Sequence, residues 1–391
     1  MKDRTDKLSF LYSALEQRKE EHKLRELVSA LPVKGTSKVL VEGKELINFC
    51  SNDYLGLSDR QEVINRSIEY TKDFGAGSEA SRLVSGTLTI HKALEQKLAD
   101  TFDVEATLLF NSGFQANTTI ISSLADRNSL ILADKKCHNS LIQGAILSRA
   151  EFKRFNHNDY NHLETLLMQA EEKSYNRIWI ITETVFSMDG DLNDLDALIS
   201  LAQKHDALLY SDDAHALGVL GDKGLGLNFG REGIDVSIGT FGKAFGSFGA
   251  FIGCSKAIKE FLVNFCPGFI YTTSLPPSVI GALSASLELI PGMETERKQL
   301  LERIYSTRSA LNQMGYDTGD SDSQIIPIII GDEEETLKLS KFLFENGIWA
   351  SAIRPPTVDS GKSRIRLTIT AKHSQKDIDK LLDLLKQWKA K

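Results

Sequence analysis

Lys243 is the first residue whose position asks for chemistry. In Ser237-Ile-Gly-Thr-Phe-Gly-Lys243-Ala-Phe-Gly246 it leaves an apolar run and enters a glycine-rich turn. A lysine there can snorkel from a strand end, its stem packed and its head wet. It can serve a phosphate-binding P-loop, but that pattern needs Gly at 237 and Ser or Thr at 244, where the chain has Ser237 and Ala244. It can also form a Schiff base, which needs a dry pocket and small neighbours beside a flat aldehyde. That last chemistry requires a partner. A ring that draws electrons must keep its ring nitrogen protonated, so a carboxylate has to lie beneath it, as for pyridoxal phosphate. Asp212 directly follows the apolar run Ala207-Leu-Leu-Tyr-Ser211, and His215 stands three residues later. Asp212 is equally suited to capping a turn, and His215 to a satisfied place in the core.

A cofactor phosphate would need backbone amides at a helix N-terminus. Asn111-Ser-Gly113-Phe114, between the run Ala106-Thr-Leu-Leu-Phe110 and a helical stretch, supplies that geometry, although any βα turn can carry a glycine. Thr240 and Ser187 are hydroxyls at or just past other strand ends. His138 opens a helical stretch, where it can cap, be solvated or stack on a planar ring. A hydrolase triad lacks its GxSxG elbow, since Ser247 has Phe245 before it, and a zinc site lacks HExxH.

These residues need strands and helices to hold them. Strand-like runs at 106–110, 129–133, 151–155, 177–182, 207–211, 235–241 and 250–255 alternate with helical periodicity at 90–102, 113–124, 138–147, 159–171 and 193–205. Such alternation predicts an α/β fold with a largely parallel sheet covered on both faces, its ligand at the strands' carboxyl ends. Past Pro276-Pro277 the pattern turns to helices at 277–290 and 294–314, then to strands at 325–330, 348–353 and 364–369 with helices at 333–346 and 374–389. The expected organisation is an arm and hairpin start over 1–45, a large domain over 46–290 and a small α+β domain over 291–391. Within the arm, the leucine spacing predicts one amphipathic helix over 5–29, followed by β-like runs at 38–41 and 46–49.

Composition narrows the class. The 391 residues carry 46 Lys plus Arg against 53 Asp plus Glu, a net charge of −7, with no long basic run. That disfavours nucleic acid, whose affinity comes from neutralised phosphates. Cys50, Cys137, Cys254 and Cys266 show no CxxC spacing, which suits a reducing cytoplasm better than a disulfide framework or zinc ribbon. No secretory h-region and no bilayer-length apolar stretch is read, so a soluble cytoplasmic protein is expected.

Taken in order, Asn48-Phe-Cys-Ser-Asn-Asp-Tyr-Leu-Gly-Leu57, Ser81-Arg-Leu-Val-Ser-Gly86, Thr184-Val-Phe-Ser-Met-Asp-Gly-Asp191, Asp212-Asp-Ala-His215, Thr240-Phe-Gly-Lys243 and Tyr271-Thr-Thr-Ser274 resemble the α-oxoamine synthases, fold-type I pyridoxal 5'-phosphate enzymes, over nearly the whole chain. Within that family, Ala352-Ile-Arg-Pro-Pro-Thr-Val358 and Ser363-Arg-Ile-Arg-Leu-Thr-Ile-Thr-Ala371 are similar to the branch that condenses L-alanine with a pimeloyl thioester, on CoA or acyl carrier protein, in biotin biosynthesis. The resemblance implies Lys243 as the Schiff-base lysine, Asp212 as partner of the ring nitrogen, His215 as donor to the phenolic oxygen and His138 as the stacking residue. It implies Gly113 and Phe114 at the phosphate, Ser187 and Thr240 as further cofactor contacts, Arg366 on the amino-acid carboxylate, and Thr357 and Arg25 as substrate contacts. A homodimer with active sites at the interface is implied too, the Tyr271–Ser274 segment serving a neighbour's site. One departure is Gly77-Ser-Glu79-Ala80-Ser81, where many relatives have Gly-Ser-Gly-Gly-Ser. A glycine C-acyltransferase using another acyl-CoA and a catalytically inactive pyridoxal-phosphate binder are the rival readings.

Overall fold

The computed structural model describes residues 7–21 and 23–390. An N-terminal meander comprises β1 (Leu31–Pro32), β2 (Lys38–Val41) and β3 (Lys44–Asn48). The central strands follow as β4 (Ala106–Phe110), β5 (Ser129–Asp134), β6 (Glu151–Phe155), β7 (Arg177–Glu183), β8 (Leu208–Asp212), β9 (Val236–Thr240) and β10 (Ala250–Cys254). They form one sheet in the order β4-β10-β9-β8-β7-β5-β6. All its pairings are parallel except the two that β10 makes, with β4 and with β9.

The two-residue repeat of a strand, with both sheet faces covered, explains why the inner runs are largely apolar, whereas β6 at the edge carries Glu151, Lys153 and Arg154. Leu130 and Leu132 of β5, Ile180 of β7 and Leu209 of β8 pack with Leu163, Leu167 and Leu198 against one face. Ile131, Ala133, Trp179, Ile181 and Tyr210 alternate with them and meet Ile120, Ile121 and Leu141 on the other. Each covering helix starts at a side-chain cap: Ser112 before Gly113–Leu124, His138 before Asn139–Ser148, Asp159 before Tyr160–Glu171 and Asp194 before Leu195–Lys204. Such caps satisfy amides that the first helical turn leaves open.

Toward the C-terminus, β11 (Ile325–Gly331), β14 (Ser363–Thr368) and β13 (Ser351–Ile353) form an antiparallel sheet in the order β11-β14-β13, backed by helices Glu294–Gln313, Glu333–Glu345 and Gln375–Lys389. The expected strand over 348–353 is two strands. β12 (Ile348–Trp349) pairs parallel with β3 at Ile47 and Asn48, whereas β13 pairs with β14. One apolar run thus ties the N-terminal meander to the C-terminal sheet. A single core cluster joins Phe49, Tyr54, Phe241 and Phe245 to Leu283, Ile328, Leu367 and Leu381.

The arm corrects another expectation. Its helix covers Ser9–Glu20 with no buried residue, and residues 23–30 are not helical. Residues 5 and 6 lie outside the described residues. Leu8, Leu11, Leu15 and Leu27 are all exposed, so the leucine stripe has no core to pay for a longer helix. Helices Gln61–Phe74 and Lys256–Phe265 were not anticipated; each buries one apolar residue, Val63 and Leu262. The first is held by close approach: a Cβ on Gly281 of helix Pro277–Leu289 would lie 2.5 Å from the Arg66 carbonyl. Among the described residues no helix is long and apolar enough to cross a membrane, and all four cysteines are free.

Candidate active site

Five strand exits converge on one cavity of about 360 Å³, at the carboxyl ends of the parallel strands. β4 delivers Gly113 and Phe114, β5 delivers His138, β7 delivers Glu183 and Ser187, β8 delivers Asp212 and His215, and β9 delivers Thr240 and Lys243. Arg366 of β14 enters from the C-terminal sheet, and Asn52 from the loop after β3. Antiparallel β10 brings Gly249, just before its start, to the same edge.

Asp212 is buried, and neutral donors reach both of its oxygens. Asn117 Nδ2 donates to Oδ2 at 2.7 Å, and the amide of Ala214 donates to Oδ1 at 2.9 Å. Asn117 is itself fixed, accepting from the Tyr210 hydroxyl at 2.8 Å and donating to Ser140 Oγ at 3.0 Å. Lys243 Nζ lies 3.4 Å from Thr240 Oγ1. Burial pushes its amine below the usual lysine range, against the opposing pull of Asp212 and Glu183. A lysine that loses its proton more easily is a better nucleophile and base.

His215 is neutral: burial, then the charges of Lys243 and Arg366, hold its pKa well below the usual histidine range. Its Nδ1 is 2.6 Å from the Tyr54 hydroxyl. When Tyr54 donates, the ring's own proton resides on Nε2. His138 caps its helix, Nδ1 accepting from the Ser140 amide at 3.2 Å, while its own amide donates to Glu183 Oε1. Arg366 is buried and oriented by Nε, which donates to the Ser187 carbonyl at 2.6 Å, and by Nη1, which donates to Thr368 Oγ1 at 3.0 Å.

The site fits pyridoxal 5'-phosphate. Ser112 caps the helix by accepting from the Gln115 amide at 3.1 Å, leaving the amides of Gly113 and Phe114 in the open first turn. A Cβ on Gly113 would come within 2.5 Å of Thr240 Cγ2, so glycine keeps that cradle clear. An amine with lowered proton affinity, a carboxylate held by neutral donors and a neutral imidazole complete a set suited to a flat, phosphorylated, electron-drawing ring.

Of the residues singled out in the sequence, Gly113, Phe114, His138, Ser187, Asp212, His215, Thr240, Lys243 and Arg366 all line this cavity. Arg25 and Thr357 do not line it but meet each other, Nη2 donating to Oγ1 at 3.1 Å on the surface. The Tyr271–Ser274 segment sits by the β4 exit, where Asn111 Nδ2 donates to the Thr273 carbonyl at 2.9 Å. Sequence reasoning missed Asn117, Glu183 and the role of Tyr54. Glu183 ends an apolar strand just as Asp212 does, and that signal was there to read.

The sequence profile of the aminotransferase class I and II family matches residues 44–385. The 8-amino-7-oxononanoate synthase of Geobacter sulfurreducens is 42% identical over 371 residues, covering 94% of each chain. A structure of SPT with PLP superposes with a TM-score of 0.91 at 27% identity, covering 99% of this chain and 98% of that one. The 8-amino-7-oxononanoate synthase of Francisella tularensis superposes with a TM-score of 0.76 at 27% identity, covering 88% and 98%. The chain belongs to the aminotransferase class I and II family, with the fold-type I architecture, and within it to the 8-amino-7-oxononanoate synthase group.

Proposed function

We propose that this chain is a cytoplasmic, pyridoxal-phosphate-dependent acyltransferase that condenses L-alanine with a pimeloyl thioester, releasing CO2 and the free thiol carrier and giving 8-amino-7-oxononanoate. The observation that carries the reading is one cavity lined by Lys243, Asp212 and Arg366, in a chain 42% identical to an 8-amino-7-oxononanoate synthase over 94% of both sequences. SPT superposes more fully than the Francisella synthase does, so backbone shape does not choose the substrate. The sequence identity supports the choice.

When bound, the cofactor supplies an electron sink for the bond broken at the amino acid's α-carbon. In this reading Lys243 holds its aldehyde end, Asp212 its ring nitrogen, His138 and His215 its ring, and Gly113, Phe114, Ser187 and Thr240 the phosphate and its surroundings. Lys243 Nζ, its proton affinity lowered by burial, then takes the α-proton. Asp212 would hold the proton on the ring nitrogen, a charge-assisted contact worth about 1.5–3 kcal/mol, or roughly one to two decades in rate. Arg366 grips the substrate carboxylate, which fixes the α-carbon bond that is aligned to break. Arg25 and Thr357, joined at the surface, meet the acyl donor, and two chains assemble as a homodimer around paired sites.

The test is thiol release from pimeloyl-CoA, and in a second arm from pimeloyl-acyl carrier protein, with L-alanine or glycine. Release with L-alanine is expected, and Lys243→Ala should abolish it, together with the visible absorbance of the bound cofactor. Release with glycine alone overturns the substrate assignment. No release with any amino acid overturns the enzyme reading, and wild-type turnover by Lys243→Ala removes the role given to that lysine.

A further inference from the structure

Glu183 and Asp212 end neighbouring parallel strands in register, Glu183 of β7 opposite Asp212 of β8. In-register residues on adjacent strands point to the same face at roughly 4.8 Å spacing. Both are buried, at 3% and 6% exposure, and both line the cavity. Two carboxylates so placed cannot both ionise cheaply. Their hydrogen bonds differ. Asp212 receives donors on both oxygens, from Asn117 and Ala214, the pattern of an acceptor-only carboxylate. Glu183 receives one, from the His138 amide, on Oε1.

We propose that Glu183 is a positioning residue carried as a neutral acid: Oε1 holds the backbone of His138, and Oε2 keeps a proton so that Asp212 alone bears the charge of the pair. The groups acting on it agree. Burial raises its pKa well above the usual carboxylate range, and the charges of Asp212 and Asp134 add to this, while the His138 amide and Lys243 oppose it. Cys137, buried in the same turn, is raised too and contributes no charge. The wall of the cavity therefore presents one negative charge, not two, and His138 is anchored both through its main chain and through its ring Nδ1, which accepts from the Ser140 amide while the ring lines the cavity. The consequence for the cofactor rests on the reading above; the protonation state does not.

The experiment is infrared spectroscopy of the holoenzyme at pH 7.5, with and without 13C-carboxyl glutamate. Asp213, one of the other buried carboxyls nearby, is pushed up by burial only to about 6, below the pH of the measurement. A carbonyl stretch of a protonated acid is expected in the wild type, shifting with the label and vanishing in Glu183→Gln. Absence of the band, or its survival in Glu183→Gln, overturns the neutral acid. For positioning, Gln keeps an acceptor for the His138 amide and Ala does not, so cofactor affinity should fall roughly tenfold more in Glu183→Ala than in Glu183→Gln. Equal losses overturn that role, and Glu183→Met stands in if the alanine variant does not fold. A protein that shows the band but binds no pyridoxal phosphate would sink the cofactor reading and leave the neutral acid standing.

Discussion

Asn117 holds Asp212 and Tyr210 at once, so its removal leaves a buried phenol with no acceptor and a carboxylate with one donor fewer. Asn117→Ala should lower stability by about 1–3 kcal/mol. Asn117→Asp should cost more, because it sets a second carboxylate against Asp212. Urea denaturation of both variants checks the order, and an aspartate variant as stable as wild type would refute the account. Asn117 was legible only as an anomaly, a polar residue on the helix stripe that buries Ala116, Ile120 and Ile121. Asp212 and Glu183 were easier, each a carboxylate closing an apolar run. The pairing of Tyr54 with His215 was not legible at all. It spans 161 residues of sequence and exists only because separate segments pack into one core.

Among elements, the loops after β5, β6 and β7 are fastened by one histidine. His157 Nδ1 lies 2.9 Å from Asp134 Oδ1, and Nε2 lies 2.5 Å from Asp191 Oδ2, so both nitrogens face carboxylates and both carry protons. Asp134 precedes the turn of His138, and Asp191 closes the loop that carries Ser187. Burial lowers the His157 pKa, but the two carboxylates outweigh it and raise the value to about 9. The folded value lies above the unfolded one near 6.5, so this stabilisation is complete below about pH 6.5 and is lost as pH rises through about 9. It amounts to up to about 3 kcal/mol. Denaturation midpoints from pH 6 to 10 should fall for the wild type and stay much flatter for His157→Gln. Parallel curves would remove the clamp. The sequence foretold β5 and β7 because they are largely buried on both faces, and β6, a half-exposed edge strand, by its place in the alternation of strands and helices. It did not foretell the break between β12 and β13, since the six apolar-rich residues of 348–353 look alike whichever sheet they join.

For the molecule as a whole, one group of exposed apolar side chains, Leu83, Val84 and Tyr271, sits on two segments that are tied together. Ser78 Oγ donates to the Leu275 carbonyl at 2.6 Å and Ser81 bridges to Thr273, so the segment carrying Leu83 and Val84 is tied to the one carrying Tyr271. Val84 is 79% exposed and Tyr271 84%. Singly exposed apolar residues are ordinary, but neighbouring ones on joined segments mark an interaction face. Sedimentation should give twice the 43.4 kDa chain mass, and Val84→Glu should shift it toward the monomer. A monomeric wild type would rule the assembly out.

The pairing of β3 with Ile348 and Trp349 also sets a schedule for the growing polypeptide. Roughly 300 residues must follow β3 before its partner leaves the ribosome, on the order of 15–60 s of synthesis. Throughout that interval the meander has an open hydrogen-bonding edge, the kind that invites pairing with another nascent chain. Ribosome-arrested chains ending before residue 348 should be cut by protease within 31–48 far faster than chains released past that point, and equal rates would show that the meander closes without its late partner.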